Sequence, residues 1–285
     1  MCKYNPVTKE LKLCNSICRM PQNVEILDCR DSLIKRVPQD LSLTSLDIQG
    51  TKINKVNIKG LKYLYAYNSK LNELDYTKNL IVLNCSKTKI NTLPKDLHNL
   101  EYLNCNNCPL KELPQMNKLR ILSCSDTNIK EIPQLNLLEY LDCDDSLIEY
   151  IPDIYSLKEL KCSNSKLKKL PDTLESLQIL YCNNTNIKRL PNLKSLKGLN
   201  CNRTKITNLP DCLDNLTSLH ISESLITTLP NSLTSLILLD CRKTLVDKLP
   251  ENMNCLRKLY CSKTNIKELP QNLSNLEVLR WVKSR

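Results

Sequence analysis

Apolar residues recur along this chain at a nearly constant period. When the chain is aligned on the tripeptide Leu-x-Cys, the cysteine position returns every 18 to 20 residues between residues 29 and 261. The unit reads L-x-x-L-x-C-x-x-T-x-I-x-x-L-P, as in residues 256–270, and its positions are numbered 1 to 15 below. A unit this short cannot bury its apolar side alone, so the period predicts stacked coils that share one core.

The pattern within the unit predicts two kinds of extended segment. Positions 4 and 6 alternate with polar residues, which is the period of a strand with one buried face. Positions 11 and 14 are apolar again, and an aliphatic-proline step, mostly Leu-Pro, closes 11 of the 13 repeats, failing at Asn57 and Asp75. Because proline donates no backbone hydrogen bond and holds an extended conformation, the return segment should be extended or 3₁₀ rather than α-helical.

This unit resembles the leucine-rich repeat, and the resemblance covers about residues 11–282. The short coils are similar to those of repeat proteins from giant DNA viruses and, more distantly, to those of bacterial effectors. The resemblance implies a curved, right-handed solenoid, α/β by family convention but mostly β here, with a parallel concave sheet and extended or 3₁₀ convex segments. We expect one domain overall, with an irregular capping coil at 1–24 and a solenoid of about 13 full repeats and a partial last one at 25–285.

Position 9 is usually asparagine in this family, where its amide bonds to backbone groups of adjacent coils. Here it is Thr or Ser in all repeats except one, which has Cys108. A hydroxyl offers one donor and two acceptors, so it can still satisfy buried backbone groups. We therefore predict a Thr/Ser ladder in place of the asparagine ladder.

Cysteine is abundant, with 16 residues, whereas the chain has 3 Gly and no Phe. Ten cysteines occupy position 6, and Ile48, Ala66 or Ile221 replaces cysteine there in the remaining repeats. A position that accepts isoleucine or alanine requires a small apolar group, which a buried free thiol provides. We predict that these cysteines pack in the core and form neither a disulfide ladder nor a metal ladder. The pair Cys105 and Cys108 also falls on inward positions. Roles for Cys2, Cys14 and Cys18 stay open.

Signals for catalysis, export and membrane insertion are weak. The first residues lack a secretory apolar stretch, and no segment approaches the roughly 20 apolar residues of a membrane span. His98 and His220, the two histidines, are about six repeats apart. A C-x-D motif, catalytic in ubiquitin-ligase effectors, occurs at Cys124, Cys143 and Cys212, all inside repeats. We predict a cytoplasmic, non-enzymatic protein without cofactor or metal, with a ubiquitin-ligase-like effector as a remote alternative.

The formal charge of +11 raises the alternative of nucleic-acid binding. However, positions 5, 7 and 8, taken as the exposed strand positions, carry nine basic and nine acidic side chains. The surplus lies at positions 10, 12 and 13, on the flank and back of the predicted solenoid, as at Lys168, Lys169, Lys188 and Arg189. Binding of a nucleic acid or an anionic surface through this basic flank is therefore the second hypothesis.

The leading hypothesis is a protein-interaction scaffold that binds a protein partner on its concave sheet. The resemblance to viral and effector repeats adds the expectation of a viral or pathogen protein that acts on host proteins. Tyrosine is enriched at interface hot spots, and a face polarised into an acidic middle and a basic end suits a complementary protein. We expect a monomer, or an end-to-end dimer if Trp281 does not close the last coil. The candidate binding residues are Tyr63, Tyr65, Tyr67, Asn104, Asn106, Asp126, Asp142, Asp144, Asp145, Lys161, Tyr181, Asn183, His220, Arg242 and Tyr260.

Overall fold

The computed structural model describes residues 3–13 and 21–282. Cys2, Cys14 and Cys18 lie outside these residues, as do residues 14–20 of the predicted capping coil. The chain divides into two compact units, an N-terminal unit ending at Leu138 and a C-terminal unit beginning at Glu139, and each is described separately.

The N-terminal unit contains ten strands and one 3₁₀ turn among its described residues. A hairpin of β1 and β2 is antiparallel, and β2, β3, β4, β6, β8, β9 and β10 then pair in parallel. The elements are β1 (Lys3–Asn5), β2 (Glu10–Lys12), β3 (Ile26–Asp28), β4 (Ser45–Asp47), β5 (Lys55–Asn57), β6 (Tyr63–Tyr65), β7 (Glu73–Asp75), the 3₁₀ turn (Thr77–Asn79), β8 (Val82–Asn84), β9 (Tyr102–Asn104) and β10 (Ile121–Ser123).

The C-terminal unit contains eight strands among its described residues, each paired in parallel with the next. They are β11 (Tyr140–Asp142), β12 (Glu159–Lys161), β13 (Ile179–Tyr181), β14 (Gly198–Asn200), β15 (Ser218–His220), β16 (Leu238–Asp240), β17 (Lys258–Tyr260) and β18 (Val278–Arg280). The prediction of a mostly β solenoid with one short parallel strand per coil is confirmed. Among the described residues, no helix has the length and apolar character needed to cross a membrane.

Each strand of the repeat spans only positions 3 to 5. Leucine at position 4 is the middle residue of the strand and is fully buried in nearly every coil, as at Leu103 and Leu180. Our assignment of positions 7 and 8 to the strand is wrong, because the chain turns immediately after the strand. Position 8 has positive φ in every full coil; the non-glycine residues there have φ between 53° and 59°, and Gly50 has φ 68°.

The left-handed residue at position 8 makes a further hydrogen bond to the next coil, beyond those of the strand. The position-8 amide donates to the position-7 carbonyl of the next coil, as Arg203 does to Ser222 at 2.9 Å. Left-handed backbone costs a non-glycine residue roughly 1–2 kcal/mol, with Asn and Asp tolerating it best. Seven of the twelve non-glycine residues at this position are Asn or Asp, a signal that the sequence analysis did not use.

The predicted ladder of hydroxyl groups at position 9 is present, but its bonds run within a coil. Thr88, Thr204 and Thr244 each donate to the carbonyl three residues earlier, at 2.6–2.8 Å. This bond closes the turn that contains the left-handed residue. Among the described residues, three buried serine hydroxyls at the same position have no hydrogen-bond partner: Ser32, Ser146 and Ser224.

Cysteine at position 6 packs in the core, as predicted. All ten position-6 cysteines are buried and free, and Ile48, Ala66 and Ile221 are equally buried. Burial raises the pKa of the thiols of Cys29 and Cys201 to about 12. These thiols therefore stay protonated at neutral pH, and only the thiolate is a good nucleophile.

The described return segments contain no α-helix, and two of them form a second sheet. Strands β5 and β7 pair in parallel, and they are the return segments that end at Asn57 and Asp75, where proline is missing. Elsewhere proline removes a backbone donor at this position, which disfavours a continuous ladder. The absence of proline in consecutive coils thus explains the second sheet, which we did not predict.

The last described coil is less covered than the others. Leu279, at the position of the buried leucine column, is 45% exposed, and Val282 is 66% exposed. Trp281 stands at position 6 of this coil and is itself partly exposed.

Replacing Thr204 with valine should lower the free energy of unfolding by about 1–2 kcal/mol, because the shape is kept while the carbonyl of Cys201 loses its hydroxyl partner. Ser224→Thr should raise it by about 0.5–1 kcal/mol, since threonine makes this bond in the adjacent coils. Urea denaturation of both variants tests the ladder. Equal stability of all three proteins would show that the hydroxyl contributes nothing.

Native alkylation with iodoacetamide at pH 8 should modify the exposed Cys255 and the half-buried Cys212. Cys162 and Cys182 should react only after unfolding, because they are buried and burial raises their pKa. Peptide mass spectrometry with and without urea distinguishes the two groups. Alkylation of Cys162 at the rate of Cys255 would contradict the core assignment.

Candidate functional site

The outward side chains at positions 3, 5 and 7 form one face of the parallel sheet in each unit, called the sheet face below. Tyr63, Tyr67 and Tyr181 are 37–39% exposed on it, and Tyr65 and Tyr260 are half-buried. The face therefore presents several tyrosine rings that are partly open to solvent. Partly exposed aromatic surface is typical of binding surfaces.

The three N-terminal tyrosines are placed close together, although not all on one strand. Tyr63 and Tyr65 belong to β6, whereas Tyr67 lies in the following turn. Lys87 from the next coil donates to the Tyr67 hydroxyl at 3.1 Å, and its ammonium lies 5.3 Å from the ring centroid. A cation at that distance is attracted by the ring, which orders both side chains.

Several predicted binding residues hold the turn itself. Asn104 and Asp142 accept from the amide two residues later, at 3.1 and 3.2 Å. Asn106 accepts from the Ser125 amide at 2.7 Å, and Asp144 from the Ser163 amide at 2.5 Å, both in the next coil. One oxygen of each side chain thus satisfies a backbone donor that the turn leaves unpaired.

The predicted acidic group is divided between the units. Asp126 belongs to the N-terminal unit, and Asp142, Asp144 and Asp145 belong to the C-terminal unit. Asp126 and Asp145 occupy the left-handed position 8. Burial raises the pKa of Asp144 despite its bond to the Ser163 amide.

Lys161 is the centre of a cluster on the sheet face of the C-terminal unit. Its ammonium donates to the Tyr140 hydroxyl at 3.0 Å, lies 3.4 Å from Glu159, and is 6.0 Å from the Tyr181 ring centroid. The hydrogen bond to Tyr140 raises the pKa of Lys161, so the cation persists at all physiological pH values. In the turn after β13, Asn183 accepts from the Ser163 hydroxyl at 2.8 Å.

A second cluster surrounds Asp240, which is 5% exposed at the end of β16. Arg242 donates two hydrogen bonds to it at 2.7 and 2.8 Å and lies 5.6 Å from the Tyr260 ring centroid. Arg280 covers the same ring at 5.9 Å. His220 Nδ1 is 4.0 Å from the Asp240 carboxylate, and burial lowers the pKa of His220.

Between these clusters lies a notch that the sequence analysis missed. Gly198 on β14 pairs with Ile179 on one side and Ser218 on the other, so the sheet face lacks one side chain there. The resulting cavity has a volume of about 240 Å³ and is also lined by Tyr181 and His220. A glycine at position 3, where all other coils have a side chain, is the sequence signal that could have found it.

A polar basin adjoins the notch and shares Asn200 with it. The basin has a volume of 300 Å³ and is lined by Arg203, Glu223, Arg242 and Lys243, together with asparagine and serine side chains. Glu223 bridges Arg203 at 3.1 Å and Lys243 at 2.8 Å, and these two bonds lower its pKa.

Comparisons with known proteins agree with this fold. No family model matches the chain, and no curated protein matches its sequence. A leucine-rich-repeat protein of Leptospira interrogans superposes with a TM-score of 0.73 at 23% identity, over 92% of this chain and 86% of that protein. For YopM of Yersinia pestis, described as a leucine-rich effector protein, the TM-score is 0.75 at 22% identity, over 96% and 88%.

The functional domain of InlJ from Listeria monocytogenes, which includes a cysteine ladder, gives a TM-score of 0.76 at 26% identity. That alignment covers 91% of this chain but 59% of the InlJ domain. The fold of this chain is therefore that of leucine-rich-repeat proteins, in agreement with the repeat pattern of its sequence.

Substituting Asp240 with asparagine should lower the pKa of His220 further, because the carboxylate favours the protonated imidazole while burial and Arg242 oppose it. Titration of the His220 ring protons by NMR measures the shift, with His98 as the second resonance in the same spectrum. An unchanged pKa in the variant would show that Asp240 does not act on His220, and a raised pKa would contradict the sign of the effect.

Proposed function

We propose that this protein is a non-catalytic scaffold that binds a protein partner on its sheet face. The observation that carries the proposal is the set of exposed or half-buried tyrosine rings that have cations from neighbouring coils beside them: Tyr67 with Lys87, Tyr181 with Lys161, and Tyr260 with Arg242 and Arg280. Tyr and Arg are enriched at the hot spots of protein interfaces. Because these side chains are already ordered, binding would lose little conformational entropy.

Charge supports a protein partner over a nucleic acid. Two of the flank cations are occupied by acids of a neighbouring coil, Lys168 by Glu149 at 4.0 Å and Arg189 by Asp172 at 3.5 Å. These exposed pairs reduce the positive potential that a polyphosphate would require. Binding of an anionic polymer through the flank remains the alternative that the experiment below tests.

A ubiquitin-ligase activity is not part of the proposal. Cys124 and Cys143 of the C-x-D motifs are fully buried, so substrate cannot reach their sulfurs. Cys212 is half-buried in a return segment, and its sulfur lies 3.9 Å from the Asn192 side-chain oxygen. We further propose a cytoplasmic protein of a virus or pathogen that acts on a host protein; its free buried thiols suit a reducing compartment, and the fold similarity to the effector YopM supports such a role.

Affinity purification from host lysate with the native chain should recover at least one protein. A triple variant that combines Tyr67→Ala, Tyr181→Ala and Tyr260→Ala should recover about tenfold less of that protein, because hot-spot truncation removes most of the binding energy. A matched variant, Tyr150→Ala with Tyr155→Ala, removes exposed rings outside the sheet face and should recover the wild-type amount.

Thermal unfolding of both variants controls for loss of structure. Equal recovery by both variants would place binding off the sheet face. Recovery of nucleic acid instead, lost as salt is raised, would favour the basic flank.

A further inference from the structure

Gly198 is a glycine that the backbone does not require. Gly50 and Gly60 have φ of 68° and 84°, a region that L-residues rarely adopt. Gly198 has no such conformation, and a Cβ added to it would meet no atom within 4 Å. Glycine inside a strand weakens it through its conformational entropy, so this residue lowers stability without a local steric reason.

What the missing side chain creates is the notch. Ile179 and Ser218 stand on either side of Gly198 across the sheet, and Tyr181 and His220 stand on either side of Asn200. The notch has a volume of about 240 Å³, which is below the roughly 300–1,000 Å³ of small-molecule sites. Its size and open mouth suit one large side chain of a macromolecular partner.

The adjoining basin supplies a charge preference. Arg203, Arg242 and Lys243 against Glu223 give its lining a formal charge of +2, three cations less one anion. The Asp240 carboxylate that pairs with Arg242 is covered, with its side chain 7% exposed, whereas the side chains of the three cations are 49–61% exposed. An acidic group of the partner would therefore meet cations first.

We propose that the notch at Gly198 and the basin beside it bind an extended segment of a protein partner, with an aromatic or large aliphatic side chain in the notch and an acidic side chain in the basin. This deepens the proposed function and rests on it. The notch lies at position 3 and the basin at positions 7 and 8, on the order of 10 Å apart, which an extended chain spans in about three residues. The acidic residue should thus stand three or four residues from the apolar one.

The test uses the full chain and a displayed library of random dodecapeptides, from which peptides bound by the native protein are selected. The selected peptides should share an aromatic or large aliphatic residue with Asp or Glu three or four residues away. A synthetic fluorescent copy of the best peptide should bind Gly198→Leu at least about tenfold more weakly, because leucine fills the notch. The fold should persist, since Leu238 occupies the same strand position on β16.

Two further variants sharpen the result. The first is a double variant that combines Arg203→Asn with Lys243→Asn. Asparagine tolerates the left-handed turn, as Asn184 does one coil earlier. This variant should bind the peptide severalfold more weakly, and its binding should depend less on salt. Ser45→Leu places leucine at position 3 of β4 in the N-terminal unit and should leave binding unchanged. Circular dichroism and thermal unfolding check each variant.

Equal binding by the native protein and Gly198→Leu, or selected peptides without the apolar-acidic pair, would overturn the notch proposal. The tyrosine variants described above decide the proposed function separately: if they abolish partner binding while Gly198→Leu does not, the partner uses another part of the sheet face. If neither affects partner binding, both proposals fail.

Discussion

The backbone hydrogen bond between neighbouring coils is the interaction on which the rest of this structure depends. Three-residue strands are too short to be stable alone, so each coil must satisfy its amides and carbonyls on the coils beside it. The ladder continues past the strand, where the position-8 amide donates to the next coil, as Asn184 does to Asn202 at 3.0 Å. That donor can reach its acceptor only because the backbone turns into the left-handed region.

Two features of the repeat follow from this turn. The position-9 hydroxyl closes it by donating to the carbonyl three residues earlier, and asparagine or aspartate on the sheet face caps its remaining amide. A side chain that caps the backbone is fixed in place, so it also presents a defined surface. Maintenance of the solenoid and formation of a binding face are therefore performed in part by the same residues, as at Asn106 and Asp144.

The tyrosine-cation pairs have a similar double role. Lys161 is held by Tyr140 and Glu159, and Arg242 by Asp240, so each cation is ordered before it meets the neighbouring ring. Such pairs between exposed residues contribute modestly to stability. Their larger effect is to restrict aromatic side chains that would otherwise sample several rotamers, which lowers the entropy lost when a partner binds.

Patterns that recur in every repeat predicted the fold correctly. The spacing of leucine and the tolerance of the cysteine position for Ile48 and Ala66 indicated a shared apolar core, because apolar residues that recur at the same position of stacked coils gain most by packing on one another. The second sheet of β5 and β7 was less accessible: the missing proline at Asn57 and Asp75 was visible, but it gained meaning only when the two return segments were seen side by side.

The candidate site was predicted only in part. The sequence placed Tyr181 and His220 on the outward face, since alternation along a strand sets the direction of each side chain. Arg242 was also placed there, although it follows the strand and its direction is set by the turn. It did not show that Asn104 and Asp142 cap the turn, nor that Glu223 joins Arg203 to Lys243, because these contacts depend on turn geometry and on distances between coils.

By itself, the sequence determined the period, the core columns and the face to which each residue of positions 3 to 5 belongs, since the apolar period and strand alternation are properties of residue order. Only the tertiary structure decided which side chains meet across strands and where a side chain is missing. Gly198 shows the difference: in the sequence it is one of three glycines, whereas in the sheet it is an opening between Ile179 and Ser218. Parallel pairing brings residues about 20 positions apart into contact, and no local pattern records what that contact leaves empty.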